Sequence, residues 1–356
     1  MVDSLIDKLR AEAQAEIENI EQVTFLASQL YDMDVDTINC LIDPIIPSTG
    51  LFSIVGASDT GKSMLFRQLA LAVATNSIFL NYKINAKHKK VIFIATEDDT
   101  TATSFLLRKQ ANNNNGLENI RFCFEIENVI EYLDEQLQLE PADLVIIDAW
   151  GDIFAGFNQN DSGQIRTYLN KLRSIANKYK CAIGLLHHTG KRTEKLMPSK
   201  NNILSGQGFE AKMRLIIELR SDIQDADIKH LCIVKGNYLS KEFKQNSNKL
   251  EFNPTSFLFR ATGESVPFEE LATLSEDGKT PKKDTLKKAH EVDDITHRNI
   301  LTQIFEGNLK LKRRELETRL SNKYELAFAT KFGARRVEQY LDYLLNDLQL
   351  IAKNGR

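Results

Sequence analysis

Short apolar runs separated by stretches of helical periodicity fill the middle of the chain. LFSIV (51–55), KVIFIA (90–95), IRFCFEI (120–126), DLVIID (143–148) and CAIGLLHH (181–188) read as strands. Helices are predicted at 61–75, about 101–110 and 162–179, and NNNNG (112–116) marks a turn. Near-continuously apolar strands with helices between them predict an α/β domain, a mostly parallel sheet with helices on both faces. Beyond residue 205 the spacing shortens, and KMRLIIEL (212–219), KHLCIVKGN (229–237) and SFLFRA (256–261) predict antiparallel strands that finish the same sheet.

The two ends of the chain read differently. Leu5, Leu9, Ala13, Ile17 and Ile20 recur at helical spacing, which predicts one helix or two over 3–28; LIDPIIPSTG (41–50) then breaks the pattern. Residues 274–294 are polar and charged and read as linker. Three helical patterns follow, HRNILTQIFEG, KRRELETRLSNKY and GARRVEQYLDYLLNDLQ, and LQLIAKNGR reads as a short closing strand. The predicted division is an N-terminal helical extension (1–37), the α/β domain (38–265), a linker (266–294) and a small C-terminal domain (295–356). No solenoid repeat is present.

Composition narrows the class. Apolar residues make up 42% of the 356 positions and charged ones 27%, as in an ordinary globular protein. No apolar run reaches the roughly 18–20 residues of a membrane span. The acidic start lacks the basic and apolar regions of a signal peptide, so a cytoplasmic, membrane-free protein is expected. The four cysteines (40, 123, 181 and 232) form no C-x-x-C pair, which favours neither a zinc site nor a disulfide framework. Cys123, Cys181 and Cys232 lie in apolar runs and are expected to be buried thiols. Net charge is −3, yet residues 281–356 carry 16 Lys/Arg against 11 Asp/Glu, or +5, which leaves −8 for the rest. A basic terminal piece on an acidic body hints at a polyanionic partner.

The chemistry begins at Gly56-Ala57-Ser58-Asp59-Thr60-Gly61-Lys62-Ser63, which fits G-x-x-x-x-G-K-[ST] between a predicted strand and a predicted helix. Such a loop turns backbone N–H groups inward around phosphates at a helix N-terminus. Gly56, Ser58, Asp59, Thr60, Gly61, Lys62, Ser63 and Met64 are the expected nucleotide contacts, for ATP with Mg²⁺. Lys62 brings charge toward the β- and γ-phosphates, and Ser63 offers a hydroxyl to the metal. Asp148, ending LVIID at the C-terminal edge of the sheet, is the expected second metal-side group. Glu97 follows a strand directly and is the expected base that activates water; Asp98 and Asp99 compete for that role, or the three acids cap the next helix. His187 and His188 end another strand and face opposite ways, so one is expected at the nucleotide; His188 is preferred.

These motifs, in this order and spacing, resemble the RecA-type ATPases and, more closely, the RepA-type hexameric replicative helicases. The resemblance runs over about 38–262, through GASDTGKSM, ATED, LVIIDAWGDIF, the run ending GLLHHTGK, LSGQGFEAKMRLIIEL and VKGNY. It implies a RecA-like P-loop core, ATP hydrolysis with Glu97 as base, and γ-phosphate sensing by His188. It further implies an arginine finger, Arg214, and an accompanying lysine, Lys235, both supplied to a neighbouring subunit of a homo-oligomeric, hexameric ring. As plain residues, Arg214 and Lys235 are otherwise exposed strand charges. The added N-terminal and C-terminal segments depart from the RepA pattern.

In RecA-like rings the loop after the histidine strand faces DNA, so MPSKNNILSGQ (197–207), with Lys191, Arg192, Lys195 and Lys200 nearby, is the expected contact for single-stranded DNA. It has no aromatic residue to stack bases, which restricts the expectation to backbone contact; a solvated loop is the alternative. The tail resembles a winged-helix domain whose recognition helix begins near Gly333 with Arg335 and Arg336. Leu341, Leu344, Leu345 and Leu348 fall at core spacing, with Glu338, Asp342 and Asp347 outside, so DNA binding and protein docking both remain open for it. The expected function is a DNA motor of a plasmid, phage or other mobile element. The alternative is an ATP-switched DNA-binding or adaptor protein that hydrolyses ATP without unwinding.

Overall fold

The computed structural model describes residues 24–111, 113–159, 161–190, 193–204, 206–272, 288–306, 310–328 and 332–352. They form two compact units, divided between Lys279 and Thr280. The helix expected over 3–28 falls largely outside the described residues; within them only Ala27–Tyr31 is helical there.

Thirteen strands run through the described residues of the larger unit. Cys40–Ile42 (β1) and Ile46–Pro47 (β2) pair antiparallel, so the proline-rich stretch that reads as a break is a small hairpin. Gly50–Gly56 (β3) follows, then the two-residue strands Ile78–Phe79 (β4) and Tyr82–Lys83 (β5), which pair with each other. Val91–Ala95 (β6), Ile120–Cys123 (β7), Leu144–Asp148 (β8) and Ala182–His188 (β9) match apolar runs in the sequence. Leu215–Ser221 (β10), Ile228–Gly236 (β11), Asn246–Asn253 (β12) and Leu258–Pro267 (β13) complete the unit. The main sheet has nine strands in the order β13-β12-β11-β10-β3-β9-β8-β6-β7. From β10 to β7 all pairings are parallel, while β11, β12 and β13 add antiparallel. This is a RecA-like P-loop α/β core.

Alternation along the strands separates two apolar layers. Phe52, Ile54, Phe93, Ile146 and Leu186 join the layer under the helix Lys62–Thr75. Leu51, Val55, Ile94, Ile147 and Leu185 join the other, with the helices Val129–Leu139 and Ser162–Tyr179. Strands buried on both faces need no polar alternation, which is why they read as continuous apolar runs. The helix Val129–Leu139 is absent from the sequence-based elements, although Val129, Leu133 and Leu137 recur every fourth residue and all are buried.

The smaller unit is helical: Asp294–Phe305, Arg313–Phe328 and Ala334–Asp342, the last prolonged by a π-type turn over Tyr343–Asp347. Its core gathers Ile300, Ile304, Leu320, Tyr324, Tyr340 and Leu344. Ala289 and Val292, placed in the linker by sequence, are buried in this core, and His297 fixes the entering segment through Nε2 against the Ala289 carbonyl at 2.9 Å. The closing strand expected at LQLIAKNGR does not form over the described residues 348–352. Instead Leu348 and Leu350 donate their N–H groups back to the Tyr343 and Leu344 carbonyls, and Leu350 and Ile351 pack on the helical core. With no partner strand among the described residues of this unit, folding back is how these apolar side chains leave water. The wing of a winged helix is therefore not present in the described residues.

Candidate nucleotide site

The phosphate loop joins β3 to the helix Lys62–Thr75. Gly56 is required because a Cβ there would collide with the Leu219 carbonyl of the adjacent strand. Gly61 has φ of +90°, and a side chain would meet the Phe259 ring at 2.7 Å. No side chain caps this helix, so its first N–H groups stay available for an anion. Lys62 is buried, with Nζ donating to the Ala57 carbonyl. Burial pulls its pKa below the usual lysine range, opposed by Asp148, Glu97 and Asp59.

Asp148 ends β8 two strands from the phosphate loop, with β9 between them. It is 4% exposed, and its Oδ1 has no hydrogen-bond partner among the described residues. Burial pushes its pKa up to about 7; Glu97 and Asp98 add to the rise, while the Ser63 hydroxyl and the Arg67 charge oppose it. A buried carboxylate oxygen without a donor, beside a serine hydroxyl at the phosphate loop, is a hard-oxygen donor set that suits Mg²⁺. That ion normally takes one or two protein ligands and completes its shell with phosphate and water. No cluster of three or more His, Cys, Asp or Glu suited to a metal occurs among the described residues.

The three acids after β6 have distinct surroundings. Asp99 caps the helix Thr100–Gln110, its Oδ1 accepting from the Ala102 N–H at 2.7 Å. Asp98 is ion-paired to Arg67 at 2.8 Å. Glu97 is half exposed and faces His188, Oε1 to Nε2 4.0 Å. Thr96 stitches this tip to the end of β8: its hydroxyl donates to the Asp148 carbonyl at 2.9 Å and accepts from the Ala149 N–H at 2.8 Å.

The histidines part as strand alternation requires. His187 is buried on the far layer, with Nε2 2.9 Å from the Leu204 carbonyl and its ring on Phe209; burial lowers its pKa to about 4. His188 lies on the phosphate-loop side, and burial and the Lys62 charge lower its pKa. Together Lys62, Ser63, Glu97 and His188 line a cleft of about 790 Å³. Its outer wall comes from Asp227, Lys229, Phe252 and Phe259, and its floor from Arg67. Asp227, Lys229, Phe252 and Phe259 are missing from the sequence-based site because β11, β12 and β13 and the turn before β11 bring them to the cleft from far along the chain; Thr96, beside Glu97 in ATED, shows its role only through its bonds to the end of β8.

Arg214 and Lys235 lie elsewhere. Arg214 packs on Gly50, at the N-terminal end of β3, and donates from Nη1 to the Thr49 carbonyl at 2.9 Å. Lys235 pairs across the ladder with Ile216 and forms an ion pair with Glu210 at 2.8 Å. At about 3.3 Å per residue along β3, this end is about 20 Å from Gly56. Neither side chain belongs to the chain's own cleft.

The loop after β9 is tethered in its described part. Arg220, 6% exposed, donates to the carbonyls of Thr193, Glu194 and Leu196 and pairs with buried Glu218 at 2.6 Å, whose other oxygen accepts from the Ser199 N–H. Lys200 is taken up by Glu210 at 3.3 Å. Lys191 and Arg192 lie outside the described residues. In the smaller unit, Arg335 and Arg336 occupy the first turn of the helix Ala334–Asp342, the former exposed.

Comparison with known proteins bears on this site. Residues 18–194 match a family described as an AAA domain. Many solved structures resemble the chain. One is an ATPase domain, at 14% identity over 72% of this chain and 98% of that one, with a TM-score of 0.49. Another is a KaiC-like protein from Pyrococcus horikoshii OT3, at 16% identity over 62% and 93%, with a TM-score of 0.45. No curated protein matches the chain. The AAA-domain match spans the phosphate loop, Glu97, Asp148 and His188, and with their geometry it supports an ATP-hydrolysing core. No helix among the described residues is long and apolar enough to cross a membrane.

Proposed function

We propose that the chain is a Mg²⁺-dependent ATPase that works as a homo-oligomeric, ring-forming motor on DNA, in the manner of a RepA-type replicative helicase. The convergence of Lys62, Ser63, Asp148, Glu97 and His188 on one edge of the sheet carries this reading. The uncapped helix start and Lys62 hold the phosphates. Ser63 and Asp148 hold the magnesium ion, which when bound neutralises developing charge on the phosphates. Glu97, spent neither on a helix cap nor on an arginine, takes the proton from the attacking water. His188, 4.0 Å from Glu97, is placed to respond when the γ-phosphate leaves. Arg214 and Lys235, remote from their own cleft, serve a neighbour's.

The tether on residues 193–199 and the pairing of Lys200 with Glu210 favour a second reading, in which ATP controls assembly of an adaptor and DNA is not unwound. A forked-DNA displacement assay with ATP and Mg²⁺ separates the two. ATP-dependent strand displacement by the full chain supports the motor. DNA-stimulated hydrolysis without displacement supports the switch, and no ATP hydrolysis under any condition overturns both.

A further inference from the structure

Arg67 has no role in the functional reading so far. It lies on the phosphate-loop helix among Leu65, Phe66, Leu69 and Ala70, all fully buried, and is itself 1% exposed. Its Nη2 meets Asp98 Oδ2 at 2.8 Å, and its Cζ lies 5.9 Å from the Phe93 ring centroid. Nε and Nη1 have no partner among the described residues. A guanidinium kept only for stability would have its fork satisfied; an incompletely paired one at this depth is less favourable than an apolar side chain of similar volume. Its surroundings point to another reason. It lines the same cleft as Lys62 and Glu97, within electrostatic reach of Asp98 and of Asp148, whose Oδ1 is also unpartnered. Of the other cations lining the cleft, Lys62 is turned to the Ala57 carbonyl and Lys229 to Ser221 and Ala226. Arg67 is thus a cation paired at the tip of β6 and within electrostatic reach of the acid that ends β8.

We infer that Arg67 is a positioning residue for hydrolysis, pinning the tip that bears Glu97 through the ion pair to Asp98. Glu97, Asp98 and Asp148 repel one another. Without the guanidinium, Asp98, whose side chain is 33% exposed, relaxes toward water and draws Glu97 off its line toward His188. The helix that holds the phosphates and the tip that holds the base are then one mechanical unit. Asp99 does not supply this link, since its carboxylate is spent on capping the next helix.

This inference rests on the ATPase reading for its kinetic consequence, but its structural half is measured without nucleotide. In nucleotide-free full-length protein, amide hydrogen exchange at Glu97–Asp99 is expected to rise in both Arg67→Met and Asp98→Asn. With ATP and Mg²⁺, kcat is expected to fall at least tenfold in Arg67→Met and less in Asp98→Asn. Affinity for a non-hydrolysable ATP analogue should stay within threefold, and Arg67→Lys should recover part of the rate. The double variant should be no slower than Arg67→Met, because both changes cut one link. Unchanged exchange at the tip in these variants overturns the inference, as does nucleotide affinity that falls in step with kcat. If Arg67→Met does not fold, Asp98→Asn decides by the same two measurements. A wild-type chain that hydrolyses no ATP overturns the ATPase reading, and the exchange result still decides the link.

Discussion

The two ends of the central sheet are built to different rules. At the C-terminal tips of β3, β6, β8 and β9, charged groups are left incompletely paired: Asp148 Oδ1 lacks a donor among the described residues, Arg67 has two unpartnered nitrogens, and the phosphate-loop helix has no side-chain cap. At the opposite end Arg214 is bonded to the Thr49 carbonyl and Lys235 to Glu210. On the proposed reading, the free Asp148 oxygen and the uncapped helix start are open to metal and phosphate. Satisfied cations at the other end are stable in a lone subunit and need a stronger anion before they change partners. On that same proposed reading, one copy carries a nucleotide pocket and, about 20 Å away, the charges offered to the pocket of another.

Mutations that separate the two ends of the sheet should have the largest effects. Arg214→Ala is expected to lower kcat about 1,000-fold, the scale of an arginine supplied in trans, and Glu97→Gln at least about 100-fold, both with ATP binding retained. Mixing the two dead variants should restore measurable turnover, because a site with intact Glu97 then meets a neighbour with intact Arg214. Full activity of Arg214→Ala, or no recovery on mixing, removes the shared site.

A smaller effect sharpens the unsatisfied end. Asp148 is held up to about 7, so Mg²⁺-supported nucleotide binding should weaken as pH falls through about 7, when a proton competes for the same oxygen. Stability of the metal-free protein runs the other way. A folded pKa raised above the unfolded value favours the protonated native state, so this contribution is lost as pH rises through about 7. Metal-free Tm should therefore decline from about pH 4 to about pH 7 and level off above, and Asp148→Asn should flatten that decline. An equal decline in the variant would assign it to other groups. The smallest expected effect is at Asp99. Asp99→Ala should cost about 1 kcal/mol by denaturant melting, the value of an N-cap, and change kcat less than twofold. A large kcat loss would return Asp99 to the candidates for the base.

Much of this was legible from residue order. Continuous apolar runs mark β3, β6, β8 and β9 because parallel strands are covered on both faces, and strand parity alone separates His187 from His188. Asn246–Asn253 escaped because only Ser247 and Leu250 are buried in it; its partners, not its composition, make it a strand. Arg67 escaped because one arginine in an apolar helix looks like a solvent-facing charge until the strands are assembled above it. The C-terminal LQLI misled because apolar character requires burial without saying by which element, and the three helices offer their own core.

Glu210 ends a short helix and holds two lysines at once, Lys200 from the loop beyond β9 at 3.3 Å and Lys235 from β11 at 2.8 Å. The two cations are therefore rivals for a single negative charge. An anion that captures Lys235 leaves the carboxylate wholly to Lys200, while a phosphate that captures Lys200 leaves it to Lys235. Occupancy at Lys235 and at the loop would then be linked by competition, over a path of three side chains that never enters the nucleotide cleft.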